Sequence, residues 1–309
     1  MKITVIGTIN KDIVLPYNQL SFQSLGGITY TLATLRNFVS SEDQIIPVSY
    51  IGHDVVDLME GLRQSWPTVN FDALIRLEQK NHQVILEYDS PTERKEKALF
   101  FFPQLEWEQI QPWLDTDFVI VNMITGKELS LDTYKKIADQ IYQRLYIDIH
   151  FLVMDVDSLG NRIEKRPDDI YDWLNYSRFI QMNEHEYEII NREGIAMDVF
   201  WKGLLRPSQH VFLTRGEKGV LWISYEDEFR MEQIEAYNIP MVNETTGCGD
   251  VFGASFSYAY LYTKNIRKAL EFAVCAASAS TQISGTENFY QLKDKMVLLN
   301  KKLVDGILQ

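Results

Sequence analysis

Short apolar runs closed by turn residues recur along the chain and read as strands: ITVIG from Ile3, IIPVSYIG from Ile45, DFVIVNM from Asp117, LYIDIHF from Leu145, RFIQMN from Arg178 and HVFLT from His210. Between most of them the apolar positions change to three- and four-residue spacing, which predicts helices over 28–38, 129–142 and 184–191. Strands alternating with helices predict a parallel sheet with helices on its faces. The C-terminal third is helix after helix, over 251–262, 266–282 and 290–304. No internal repeat or low-complexity linker interrupts the chain.

Two stretches break this alternation. HQVILEYDS and KALFFF flank the polar cluster PTERKE, so 82–102 reads as a hairpin. KDIVLPYNQLSFQSLGG holds β-like pieces too close together for a helical crossover. The two could pair as a small sheet projecting from the core, drawn from about 12–27 and 82–102. A lid over an active site is one reading, and an ordinary surface hairpin is the other.

Composition narrows the class. With 309 residues and 46% hydrophobic content the chain can bury a large core, and one α/β domain over 1–309 is expected. A net charge of −13 argues against nucleic acid as a partner, because phosphate backbones demand a basic face. No apolar run reaches the ~18 residues that span a bilayer. The start MKITVIGTIN has too short an apolar core for a signal peptide. Cys248 and Cys275 are the only cysteines and are expected to be reduced, which points to the cytoplasm.

The densest chemistry lies in NETTGCGDVFGASFSYAYL, from Asn243. Thr245 to Gly249 suits neither helix nor strand, whereas Val251, Phe252, Ser255, Phe256, Ala259 and Tyr260 trace one helical face. The segment therefore reads as a glycine turn opening a buried helix. Unpaired N–H groups and the helix dipole there suit an anion. Asp250 sits beside them and would repel a phosphate that was merely bound. It is either a functional carboxylate or a simple helix cap.

ETTGCGDVF resembles the C-terminal signature of the ribokinase-like (PfkB) family of carbohydrate kinases. GTINKD, LGGITYTLATL, NEHE and LTRGEKG are similar to that family's other motifs and follow in the same order. The resemblance implies a three-layer α/β/α sandwich with a small β-sheet lid. It also implies ATP-dependent phosphorylation of a hydroxymethyl group on a sugar, or on a nucleoside as the alternative. A catalytically silent sugar-binding protein on the same fold is the rival reading.

By the same resemblance Asp250 is the general base, and the N–H groups of Gly247, Cys248 and Gly249 hold the phosphoryl oxygens. Thr214, Gly216, Gly219, Thr246 and Gly285 fall on the ATP side. Asn183, Glu186 and Glu244 organise Mg²⁺, largely through water, and a monovalent cation is conceivable. Asn10, Asp12, Gly26, Gly27 and Thr31 face the substrate, with Thr31 standing where many relatives have asparagine. The resemblance also allows a homodimer through the lid, for which Phe100, Phe101 and Phe102 would serve unless they fill a buried strand. Cys248 replaces a more usual alanine, and a helix N-terminus could activate its thiol.

Two patterns are decoys. DVDSLGNRIEKR opens like a calcium loop at Asp155 but has Arg166 at its twelfth position. His150 and His185 lack partner histidines or cysteines at ligand spacing, so surface or core roles are expected. No Walker sequence and no Gly-x-Gly-x-x-Gly follows the first strand.

Overall fold

The computed structural model describes residues 1–15, 20–88 and 94–308. Its strands are β1 (Lys2–Ile6), β2 (Ile9–Leu15), β3 (Phe22–Gly27), β4 (Gln44–Gly52) and β5 (Leu74–Leu77). Next come β6 (Gln83–Tyr88), β7 (Arg94–Leu99), β8 (Phe118–Asn122), β9 (Leu145–Asp148) and β10 (Met154–Val156). The last are β11 (Arg162–Glu164), β12 (Phe179–Asn183), β13 (Gln209–Thr214), β14 (Val220–Tyr225) and β15 (Phe229–Ile234). Nine form one sheet in the order β15-β14-β13-β12-β9-β8-β1-β4-β5. It is parallel except for the antiparallel β13–β14 and β14–β15 pairs at one edge.

Alternation along each central strand feeds two cores, as a sheet covered on both faces requires. Phe118, Ile120, Tyr146, Phe179 and Phe212 pack with the helices Cys248–Thr263 and Ile266–Ser280. Val119, Val121, Ile147, Ile180 and Met182 pack with Leu131–Ile141, Glu184–Ile190 and Met197–Leu204 on the other face. Phe256 lies 4.5 Å from Phe212 and 5.2 Å from Phe179, ring centre to ring centre. Each such ring contributes about 1.5–3 kcal/mol of burial. They fix the helix Cys248–Thr263 against the sheet, and with it everything at its N-terminus.

A second sheet has four strands in the order β3-β2-β6-β7. β2 and β6 pair in parallel, so the two stretches that broke the alternation do meet. Part of the polar cluster expected at the hairpin turn, 91–93, lies outside the described residues, as does 16–19 in the first stretch. Phe100–Phe102 lie in no strand. Phe101 stacks near His82 at 4.8 Å and Phe102 near Tyr50 at 5.9 Å, while Phe100 is exposed.

Helix ends differ from the sequence reading by a few residues. The first stops at Leu35 and the penultimate at Ser280, and the last runs Leu292–Asp305 with non-helical backbone at Asn300. The look-alike calcium loop is in fact the two-stranded hairpin β10–β11. Asp155 is bracketed by Lys127 at 3.0 Å and Lys165 at 2.9 Å. Among the described residues no helix is long and apolar enough to cross a membrane.

Candidate active site

A cavity of about 1090 Å³ opens over the C-terminal ends of β8, β9, β12 and β13, beneath the small sheet. Parallel strands end there with Asn122, Asp148, Asn183 and Thr214, all lining it, where open α/β sheets place ligands. Asn10 and Asp12 on β2, Val84 and Leu86 on β6, and Glu96 on β7 line the opposite wall.

Gly247 takes φ +78°, a left-handed turn that a side chain would oppose, and the helix from Cys248 starts with no side-chain cap. Cys248 N–H is turned back to Thr245 O at 3.3 Å. The N–H groups of Gly247 and Gly249 donate to no protein group among the described residues, and both glycines line the cavity. These orphan donors are what an anion requires. The Cys248 thiol, expected as a candidate for activation, is instead pushed above its usual range by burial. Both cysteines are free thiols.

Asp250 follows in the first turn and opens onto the same cavity. Its Oδ1 accepts from Asn122 Nδ2 at 2.6 Å and from Thr31 Oγ1 at 3.3 Å. Thr31 is not on the cavity wall; it acts on Asp250 from behind. Crowding by protein pushes the carboxyl up to about 6, against the opposing pull of His150, Asn122 and Thr31. Besides its own backbone N–H, the carboxyl is bonded to Asn122 and Thr31 from other elements, partners that a merely capping aspartate does not require.

His150, expected in a surface or core role, lies at the site, and so do Asn122, Asp148 and Gln181, which the sequence did not single out. The His150 ring lines the cavity, with Nδ1 3.4 Å from Glu186 Oε1. Burial opposes its charge, but Glu186, Asp148 and Asp250 overcome that and raise it to about 9. Asp148 is raised well above the carboxylate range, first by burial and then by Glu186. Gln181 locks this floor: Nε2 donates to Asp148 Oδ2 at 2.9 Å and to Gly249 O at 3.1 Å, and its Oε1 accepts from Tyr146.

Asn183 and Glu186 close a capping box on the helix Glu184–Ile190, with Asn183 N–H on Glu186 Oε2 and Glu186 N–H on Asn183 Oδ1, both at 2.8 Å. Both line the cavity and offer hard oxygen, so they fit a partly hydrated Mg²⁺. Glu244 lies off the cavity wall, where its Oε2 accepts the Gly285 N–H at 3.2 Å; Gly285 is likewise off the wall. Among the described residues no three His, Cys, Asp or Glu side chains are grouped to cage a metal. Thr214, Gly216, Gly219 and Thr246 line the far end, beside an apolar wall of Ala236, Ile239, Val274 and Ala277.

On the small-sheet side, Asn10 is buried and its Oδ1 has no partner among the described residues, an acceptor in need of a donor. Gly27, at φ +60°, sits against Thr8 O, where a Cβ would collide with backbone. Gly26 pairs with Asn10 across the ladder and faces the Asp12 carboxylate rather than the cavity. Arg162, from the β10–β11 hairpin, also lines the wall and forms an ion pair with Glu96. Its guanidinium lies 4.2 Å over Phe151.

A family model described as pfkB family carbohydrate kinase matches residues 62–292, more than half of the chain. The ribokinase of Bacillus subtilis is 32% identical over 114 residues, 37% of this chain and 36% of that protein. The chain thus spans little more than a third of the length of the curated relatives it matches. In fold, it is similar to the ribokinase of Thermotoga maritima, with a TM-score of 0.76 at 18% identity over 97% of this chain and 99% of that one. It is also similar to a sugar kinase of Pyrococcus horikoshii in complex with ATP, with a TM-score of 0.74 at 15% identity over 100% of both chains.

Proposed function

Because this chain belongs to the pfkB family of carbohydrate kinases, we propose that it transfers the γ-phosphoryl group of ATP to a hydroxymethyl group of a sugar or sugar derivative. One observation carries the reading: Asp250, raised to about 6, adjoins two unpartnered N–H groups on the wall of one cavity. A mere binder of sugars has no use for a base next to an anion nest. Asp250 would accept the acceptor's hydroxyl proton as its oxygen bonds to phosphorus and the bond to the ADP oxygen breaks. The Gly247 and Gly249 N–H groups would hold the phosphoryl oxygens while charge redistributes.

Other walls support the assignment of each end. The apolar strip of Ala236, Ile239, Val274 and Ala277 suits a purine, while Gly216 and Gly219 leave room for ribose and phosphate. Asn183 and Glu186 would hold Mg²⁺, which neutralises phosphate charge when bound. Glu244, tied to Gly285, would steady a loop rather than coordinate. Asn10 and Asp12 would bind acceptor hydroxyls, with the four-stranded sheet closing over them as a lid. Val84, Leu86 and Ile124 give this end some apolar surface, so a nucleoside acceptor is the second reading.

A panel of pentoses, hexoses, sugar acids and nucleosides, each with ATP and Mg²⁺ and read as ADP release, tests the proposal. Turnover on a sugar, reduced about 10²–10⁴-fold in Asp250→Asn, is the expected result. Release confined to nucleosides selects the second reading, and none with any acceptor leaves only a binding protein.

A further inference from the structure

Tyr30 lines the cavity beside Gly27, and the nest is built against its ring. It lies in the helix Thr29–Leu35, just after the Gly26–Gly27 pair, and is 8% exposed. A Cβ added to Gly247 would come within 2.6 Å of its Cγ and 2.7 Å of its Cε1, so the glycine backbone rests on the ring. Behind the ring, Phe289 packs edge-on, with centroids 5.9 Å apart at 65°. Phe289 is itself 2% exposed and belongs to the 3₁₀ turn Thr286–Gln291 that follows Gly285.

A left-handed glycine turn carries no side chain of its own to pack, and this helix start has no side-chain cap. Some other group has to hold its backbone. Burial, and then the charges of Glu244, Asp12, Asp250 and Glu287, keep the phenol well above its usual pKa and neutral. Neither ionisation nor a hydroxyl role explains the contact; the face of the ring does.

We propose that the Tyr30 ring is the positioning surface of the phosphoryl nest, bracing the Gly247 turn so that the Gly247 and Gly249 N–H groups converge on the transferring phosphate. The inference rests on the phosphotransfer reading of the site. Tyr30 acts through Gly247 and is a positioning residue. Displacing donors by a fraction of an ångström should cost transition-state binding far more than ground-state binding.

The test compares calorimetric affinity for Mg²⁺–ADP alone with affinity for Mg²⁺–ADP plus aluminium fluoride and the best acceptor of the panel, in which the planar fluoride mimics the phosphoryl group in transfer. Wild type should bind the fluoride complex more tightly than ADP. In Tyr30→Leu, ADP affinity should hold while the fluoride gain falls by up to about 10²-fold. Tyr30→Phe, which keeps the ring, should retain the gain. If the leucine variant melts early, Tyr30→Met, which fills the space without a flat face, is measured instead. An undiminished gain in the folded ring-less variant overturns the inference. So does a loss in Tyr30→Phe as large as that in Tyr30→Leu. Absence of any gain in wild type is distinct: it sinks the phosphotransfer reading, and the inference falls with it.

Discussion

Asp250 and its neighbours set the behaviour expected at the scale of single residues. A base works best with a pKa near the working pH, and burial brings Asp250 up to about 6. A raised carboxyl is protonated below that value and cannot take a proton, so kcat/KM should fall as pH drops through about 6 and level off above it. Asn122 donates to the charged form at 2.6 Å and therefore holds the pKa down. Asn122→Leu should move the acid limb to higher pH and lower the plateau, measured on the best acceptor of the panel. A limb that stays in place would detach Asn122 from Asp250. How much of this was legible follows from sequence distance. Gly247, Gly249 and Asp250 are contiguous, and their chemistry can be read from one segment. Asn122, Asp148, His150 and Gln181 come from three strands and the turn after β9. His150 looked partnerless only because Glu186 and Asp250 are remote along the chain.

At the scale of elements, central strands were legible because burial on both faces writes itself as unbroken apolar runs. The edge strand β15 was not legible, since its half-exposed FRMEQI mixes polar and apolar residues, and β14 beside it was passed over with it. The β10–β11 hairpin was the larger miss. Its residues look like a polar loop, and their partner is far away: Ala98 N–H reaches Gly160 O at 2.9 Å, and Arg162 pairs with Glu96. This hairpin ties β7, the outer strand of the small sheet, to the body of the protein. Glu96 and Arg162 also line the cavity. Arg162→Ala should therefore raise the acceptor KM by about tenfold, equivalent to ~1.4 kcal/mol. Dissociation constants for Mg²⁺–ATP, whose wall lies at the other end, should not change. An equal loss of affinity for both ligands, measured by calorimetry, would show the pair to be a general fold support instead.

For the whole molecule, the fold class was legible because strand and helix periods alternate over most of the chain, and the two interruptions mark the small sheet. Among the described residues that sheet is tied to the body by polar contacts, such as the Lys11–Asp54 ion pair at 2.9 Å, Arg162–Glu96, the Ala98–Gly160 bond and the bonds of Ile9 to Ser49 and Asn81, while its buried Val84, Leu86 and Ala98 belong to neither core. The main sheet, in contrast, carries two continuous cores. Local stability should differ accordingly, since segments with few buried contacts open at lower free energy. In hydrogen exchange without ligands, amides of β2, β3, β6 and β7 should exchange faster than those of β8, β9 and β12. A ligand at 100 times its dissociation constant stabilises what it binds by about 2.7 kcal/mol, slowing opening about 10²-fold. Saturating acceptor should therefore protect β2, β6 and β7, because Asn10, Asp12, Val84, Leu86 and Glu96 form its wall. Mg²⁺–ATP should protect the nucleotide-side residues 236–249 and leave the small sheet nearly as fast as before. The two ligands thus write different maps on one cavity. If the acceptor instead protects the nucleotide side and leaves β2 and β6 exchanging freely, the assignment of the two ends is wrong.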